Sequence, residues 1–137
     1  MTRADALQRA TEYFDSGALR RDLAHRVAFA TESQEPTQAP VMSAYLNEHM
    51  VPLLESLGFV CQIWPNPVAG GPPFLFAERT EPGAPFAVLS YGHGDVVRGY
   101  AAQWNAGLAP WPMVVDGDRG YGRGTADNKG QHSINLG

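Results

Sequence analysis

In "AVLSYGHGDVV", residues 87–97, an apolar run ends in a histidine and an aspartate. A short, nearly continuous apolar run predicts a β-strand within residues 85–92 that is buried on both faces of a sheet. Because residues two apart point to the same side of a strand, His93 and Asp95 are expected to project together past its carboxyl end. Ligands of open α/β sheets bind at such ends.

The residues before this run predict helices. Apolar side chains recur at helical spacing within residues 3–15, 19–27 and 41–57. Pro52 is expected to kink the third helix because proline lacks an amide donor. Gly58 suits the C-terminal cap of the same helix.

After Gly58 the pattern changes to short strand-like runs. Residues 59–64 and 74–80 are such runs, separated by a turn-rich connector. Helices followed by these strands predict an α/β fold with a sheet covered on both faces. The glycine-dense residues 116–130 predict turns and close backbone approach, not a strand. Residues 131–136 predict the start of a helix.

Size and composition restrict the class of protein. A chain of 137 residues fits one domain, and a hydrophobic share of 44% with a charged share of 18% predicts a packed core. The net charge of −4 argues against broad nucleic-acid binding, which needs a basic surface. No apolar run has the length of a membrane helix or signal peptide. The single cysteine, Cys61, fits a reducing compartment and a small core position, so a cytoplasmic protein is expected.

His93 and Asp95 have the residue types of half a metal site. In such sites one imidazole nitrogen binds the metal while the other donates to a carboxylate that fixes the tautomer. A histidine at a strand end is also common as a hydrogen-bonded structural residue. Asp127, on a glycine-rich turn before a predicted helix, has two interpretations as well. It is either a helix N-cap or a ligand that bridges two metals.

Two motifs together carry a family resemblance. "GHGDVV" at 92–97 followed by "YGRGTADNKG" at 121–130 resembles the paired signature of the co-catalytic zinc aminoacylase and peptidase family. That family includes acetylornithine deacetylase, succinyl-diaminopimelate desuccinylase, carboxypeptidase G and carnosinase-like dipeptidases. The tryptophan- and proline-containing segment between the motifs is similar too, as is the helical N-terminus with "ATESQEP" at 30–36.

The resemblance implies a fold and a division of the chain. Residues 1–137 would form the N-terminal half of a three-layer α/β/α zinc-peptidase catalytic domain, truncated within it. Helices would occupy 3–57, strands and metal-site loops 58–130, and the start of a helix 131–136. A homodimer is expected only for a full-length protein of this family.

The resemblance also implies roles for particular residues. His93 would bind one metal, Asp95 would lie behind it and orient it as the catalytic-site carboxylate, and Asp127 would bridge two zinc ions, with cobalt or manganese as substitutes. The peptide bond between Asp127 and Asn128 is expected to be cis. The implied activity is hydrolysis of amide bonds in small peptides or N-acyl amino acids.

Three further residues are near enough to the motifs to contact a substrate. Arg98 stands where many members of the family have proline, and Trp104 and Trp111 lie in the intervening segment. The tryptophans have a second interpretation, which is that they cover the core.

Several parts of the family's site are absent from these residues. The resemblance calls for a downstream Glu–Glu pair that includes the general base, another acidic ligand and a late histidine. No acidic residue lies between Asn128 and Gly137, and His132 is expected to be a helix-surface residue. The 137 residues alone are therefore expected to bind metal weakly, to hydrolyse nothing measurable, and to expose a sheet edge and apolar surface.

Three other interpretations assign the sequence to a different class of protein. Residues 116–127 resemble a twelve-residue calcium loop, but Tyr121 occupies the position of the required glycine and Asp127 that of the usual glutamate. A phosphate-binding loop around Lys129 lacks the necessary glycine and hydroxyl pattern. A non-catalytic fold or interaction module made from the same half-domain is the remaining alternative.

Overall fold

The computed structural model describes residues 2–137, which form five α-helices and two small sheets. The helices are α1 (Arg3–Asp15), α2 (Ala18–Ala28), α3 (Ala39–Ala44), α4 (Val51–Ser56) and α5 (Lys129–Leu136). The strands are β1 (Val60–Trp64), β2 (Phe74–Glu78), β3 (Val114–Asp116) and β4 (Arg119–Tyr121). Short 3-10 helices cover Pro36–Gln38 and Ala101–Gln103. The class is thus mixed α/β, as predicted.

Local sequence explains where the first helices begin and end. Thr2 and Asp5 form a reciprocal capping box at the start of α1, with the Asp5 amide 3.2 Å from Thr2 Oγ1 and the Thr2 amide 2.8 Å from Asp5 Oδ2. Gly17 separates α1 from α2 with a left-handed φ of 73°. Gly58 has a φ of 84° directly after α4, which confirms its predicted capping role.

The predicted helix over 41–57 is interrupted differently from the expectation. A π-helical turn, Tyr45–Met50, joins α3 to α4, and the Val51 amide donates to the carbonyl of Leu46, five residues back. Pro52 then lies in the first turn of α4, where a missing amide donor costs little. The irregularity therefore lies before the proline and takes the form of a π turn.

Both sheets are antiparallel pairs. Strands β1 and β2 pair in the register Gln62 to Phe76, and β3 and β4 pair in the register Val115 to Gly120. The β3–β4 hairpin corrects the prediction of turns alone over 116–130. Its two-residue connection is Gly117-Asp118, in which Gly117 has a φ of 60°, and glycine at the first position of such a connection is a hairpin signal. The single sheet covered on both faces is not formed within residues 2–137.

The predicted buried strand within 85–92 is wrong. This segment has no regular structure, and its apolar side chains are exposed, with Val88 at 82% and Leu89 at 92% of their full accessibility. Among the described residues, no strand lies beside it to supply backbone hydrogen bonds or cover its faces. An isolated parallel bridge, Glu32 to Val96, holds the chain just beyond it.

The core is small for the length of the chain. Its central cluster is Tyr45, Met50 and Leu54, against which Cys61 and other partly buried side chains pack. The accessible surface is 9391 Å², whereas a compact monomer of this mass exposes about 7000 Å². The exposed side chains include Phe86, Val88 and Leu89, which confirms the expectation of exposed apolar surface. No helix within residues 2–137 combines the length and apolar character required to cross a membrane.

Candidate metal site

The imidazole of His93 lies between two carboxylates. Its Nδ1 atom is 3.0 Å from Oδ1 of Asp95, and its Nε2 atom is 3.3 Å from Oδ1 of Asp127. The side chain of His93 is 33% exposed, whereas that of Asp127 is 82% exposed. Nδ1 of the ring therefore faces the partly shielded carboxylate of Asp95, and Nε2 faces the solvent-exposed carboxylate of Asp127.

The segment that carries His93 is held by the chain between α2 and α3. The Val96 amide donates to the Thr31 carbonyl over 2.9 Å, and the Thr31 hydroxyl donates to the Gly94 carbonyl over 2.5 Å. A Cβ atom at Gly94 would overlap the buried ring of Tyr45. The glycine between His93 and Asp95 is thus required by the close approach of the core.

The segment that carries Asp127 is fixed to His93 through its neighbour. The Asn128 side-chain oxygen accepts from the His93 amide over 3.0 Å, and α5 begins directly afterwards. The peptide bond between Asp127 and Asn128 is cis, as expected. Asp127 precedes the helix at the turn, and no side-chain cap bond is formed at the start of α5. The N-cap interpretation of Asp127 is therefore wrong.

Behind the site lies a buried polar cluster, which we call the α2–α5 polar core: Arg26, Lys129, His132 and Ser133. Lys129 Nζ donates to the carbonyls of Arg26 and Phe29 over 3.0 and 2.7 Å, and Arg26 donates to Ser133 Oγ over 2.8 Å. Burial lowers the pKa of Lys129 to about 7. The cluster joins α5 to α2 and so fixes the turn that carries Asp127.

The expectation that His132 lies on the helix surface is wrong. The residue is only 8% exposed, and its Nε2 atom is 2.7 Å from the Tyr45 hydroxyl. Burial, followed by the nearby charge of Arg26, lowers the pKa of His132 to about 4. Its ring packs beside Gly92, where a Cβ atom would lie 3.0 Å from the Cβ of His132. His132 is directed inward because Tyr45 of the π-helical turn and the backbone at Gly92 lie against it.

An open pocket of about 290 Å³ adjoins the candidate site. His93, Asp95 and Asp127 line it together with the chain from Gly122 to Ala126. Arg123 belongs to that wall and was not singled out by the sequence analysis. The sequence could have indicated Arg123, because this residue lies inside the second of the two quoted motifs.

The three predicted substrate-side residues do not line this pocket. Arg98 is exposed and donates to the Gln34 carbonyl over 3.4 Å. Trp111 packs against Gly99. Trp104 donates from Nε1 to the Gly99 carbonyl over 2.7 Å and lines a neighbouring pocket. The packing of Trp111 agrees with the alternative that it covers the core, whereas Trp104 lies beside a second pocket, as a substrate-side residue could.

The described residues supply two candidate metal ligands, His93 and Asp127. No group of three or more His, Cys, Asp or Glu residues within 2–137 is arranged to hold a metal ion. The calcium-loop residues Asp116 and Asp118 lie at the β3–β4 hairpin, so they do not gather with Asp127 around a common centre. No protein-family model matches this chain, and no curated protein is significantly similar to it.

Proposed function

We propose that this chain carries part of the metal centre of a metal-dependent hydrolase of amide bonds, of the N-acyl amino acid deacylase or di- or carboxypeptidase type. The observation that carries the proposal is the position of the His93 ring between the carboxylates of Asp95 and Asp127. His93 and Asp127 would hold a zinc ion, and Asp95 would orient the histidine.

The separation of the two ligand atoms fits one ion. Two ligands about 2.1 Å from a tetrahedral zinc ion lie about 3.4 Å apart. Nε2 of His93 and Oδ1 of Asp127 are 3.3 Å apart. An N–H···O hydrogen bond normally measures about 2.7–3.2 Å, so the observed spacing suits two ligands better than a donor and its acceptor.

The other side of the imidazole is arranged to keep Nε2 available. Nδ1 lies 3.0 Å from the carboxylate of Asp95 and 3.1 Å from its carbonyl oxygen. Two acceptors beside Nδ1 favour the tautomer that carries its proton there. The Nε2 lone pair is then directed toward Asp127, as a metal ligand requires.

A bound zinc ion would polarise the scissile carbonyl and lower the pKa of an attacking water. The residues of this chain would bind the ion and fix the orientation of His93. Asp95 and Asp127 are the carboxylates that line the pocket among the described residues, and since both have other roles, none there is free to remove a proton from water. We therefore expect no measurable amide hydrolysis by the 137-residue protein.

The proposal includes the larger α/β/α fold that the resemblance implies. Its support is the exposed apolar segment before His93, in which neighbouring residues Val88 and Leu89 are both exposed. Such a segment suits a strand of a central parallel sheet, which carries apolar residues on both faces. A non-catalytic module is the second candidate, favoured by the lack of a third ligand within 2–137.

Zinc titration of the 137-residue protein tests the proposed metal site. We expect binding weaker than micromolar, because a catalytic zinc site normally has about three protein ligands and this one offers two. Replacing His93→Ala should weaken binding at least about tenfold, since even a residue that only orients a ligand is worth about 10–100-fold. Competition with a chromophoric chelator measures both affinities.

His25→Ala is the matched control for this titration. The rings of His25 and His49 lie 4.6 Å apart, so these two histidines form a second place where zinc could bind. We expect zinc affinity to be unchanged in this variant. A loss in His25→Ala with retention in His93→Ala would contradict the proposal.

A further inference from the structure

Arg123 stands in the wall between two pockets. It lines the candidate metal pocket together with His93 and Asp127, and it also lines a neighbouring pocket of about 360 Å³. The aromatic side chains of Tyr100, Trp104 and Tyr121 line that second pocket, which we call the aromatic pocket. One guanidinium group thus lies beside both a candidate metal centre and an apolar recess.

The guanidinium of Arg123 is held in place on one side. Its Nη2 atom donates to the Gly99 carbonyl over 3.2 Å, and its carbon lies 5.7 Å from the centre of the Trp104 ring. Trp104 donates to the same Gly99 carbonyl, and the Arg123 amide donates to Pro110 over 2.6 Å. These contacts fix the group before any ligand binds, which reduces the entropic cost of binding.

No carboxylate in the described part of the chain neutralises the positive charge of Arg123. Its Nε atom is buried without a hydrogen-bond partner within residues 2–137. An immobilised arginine in a pocket wall is suited to carboxylates because its planar fork donates two parallel hydrogen bonds. The positive charge beside the pocket, which no carboxylate neutralises, therefore indicates an anionic ligand.

The backbone of the aromatic pocket is strained at one point. Tyr100 has a φ of 49°, and no other non-glycine residue in the described part of the chain has a positive φ. Such conformations persist where the surroundings enforce them, and they cluster at ligand-binding sites. The strained residue also places its ring in the pocket wall beside Trp104.

We propose that Arg123 binds the carboxylate of the substrate while the aromatic pocket receives its apolar or aromatic side chain. This inference rests on the proposed function, because the amide bond would then lie over His93 and Asp127 in the adjoining pocket. N-acyl amino acids and small peptides carry a free carboxylate near the scissile amide, and Arg123 would be the residue that binds it. Neutral amides would be poor ligands.

Two matched probes test the assignment without any need for hydrolysis. Binding of N-acetyl-L-phenylalanine and of its neutral carboxamide is measured by NMR titration of zinc-free protein. We expect the acid to bind at least about tenfold more tightly, as a charge-assisted hydrogen bond allows. Equal affinity for the two probes, or binding of neither, would overturn the proposal.

Two variants test whether Arg123 causes the preference for the acid over the carboxamide. Arg123→Gln should abolish the preference for the acid. Arg119→Gln removes the same charge from a side chain that is 76% exposed on β4 and should retain the preference. If Arg123→Gln does not fold by circular dichroism, the comparison of acid and carboxamide on the unmodified protein decides the matter.

Zinc titration of the same variants separates this inference from the proposed function. Arg123→Gln should bind zinc as the unmodified protein does, because no contact joins Arg123 to the ligand atoms of His93 or Asp127. Intact zinc binding without preference for the acid would overturn the inference alone. Preference for the acid without zinc binding at His93 would overturn the metal proposal and leave the carboxylate site standing.

Discussion

Replacing Gly94 with alanine is expected to destabilise the folded protein by about 3 kcal/mol, the upper end of the usual cost of overpacking. The added methyl group would overlap the ring of Tyr45, which is 2% exposed at the centre of the core. Neither partner has room to move. Gly94 is held by the Thr31 hydroxyl, and Tyr45 is held by His132 and by neighbouring aromatic rings. Urea unfolding followed by tryptophan fluorescence measures the loss.

Gly120→Ala is the matched control for this substitution. A Cβ atom at Gly120 would meet only the side chain of Met113, whose sulfur is nearest at 3.1 Å, and a flexible methionine side chain can withdraw. We expect the control to change the free energy of unfolding by less than about 0.5 kcal/mol, as surface substitutions usually do. Similar losses in both variants would show that Tyr45 does not restrict Gly94.

Acid is expected to destabilise the protein between about pH 6.5 and pH 4 through His132. The folded state lowers the pKa of His132 from 6.5 to about 4. The unfolded chain therefore takes up a proton first as the pH falls, and stability that is fully present above pH 6.5 is lost by pH 4. The loss from this residue amounts to about 3 kcal/mol. Urea unfolding at a series of pH values records it.

His132→Gln isolates the contribution of this residue. Glutamine can retain a hydrogen bond to the Tyr45 hydroxyl but does not titrate, so the fall in stability below pH 6.5 should become smaller. Part of it should remain, because burial also lowers the pKa of His49 to about 4. An unchanged pH profile in His132→Gln would show that other groups cause the acid sensitivity.

Elements with local signals were predictable from the sequence. Helix α1 begins at a capping box, α4 ends at a glycine with positive φ, and β1 and β2 are short apolar runs on either side of a turn-rich connector. Each of these signals lies within or beside its own element. Tertiary contacts then stabilise helices and strands that the local sequence already favours.

Features that depend on distant residues were not predictable in this way. The apolar residues 85–92 have the composition of a strand, but a strand forms only where another supplies hydrogen bonds, and none lies beside it within residues 2–137. His132 is directed inward because Tyr45, 87 positions earlier in the chain, forms a hydrogen bond with it. The β3–β4 hairpin was not predicted because its signal, the two-residue turn Gly117-Asp118, lies among the many other glycines of 116–130.

The candidate site was predictable in its central residues and not in its surroundings. His93 and Asp127 are 34 positions apart in the sequence, and the two motifs predict that they share a site. In the fold, Nε2 of His93 lies 3.3 Å from Oδ1 of Asp127. The roles of Arg98, Trp104 and Trp111 depended on the path of an irregular loop, for which the sequence holds no periodic signal. Arg123 was overlooked because its importance depends on lying between two pockets.

The large accessible surface has a consequence for the thermodynamics of this protein. Unfolding exposes less new area than is usual for 137 residues, because 9391 Å² is already in contact with solvent in the folded state. Both the denaturant m-value and the heat-capacity increment scale with newly exposed area. The heat-capacity increment should therefore fall below the usual value of about 12–15 cal/mol/K per residue. The curve of stability against temperature is correspondingly flat, so cooling weakens the fold less than it weakens a compact protein of equal length.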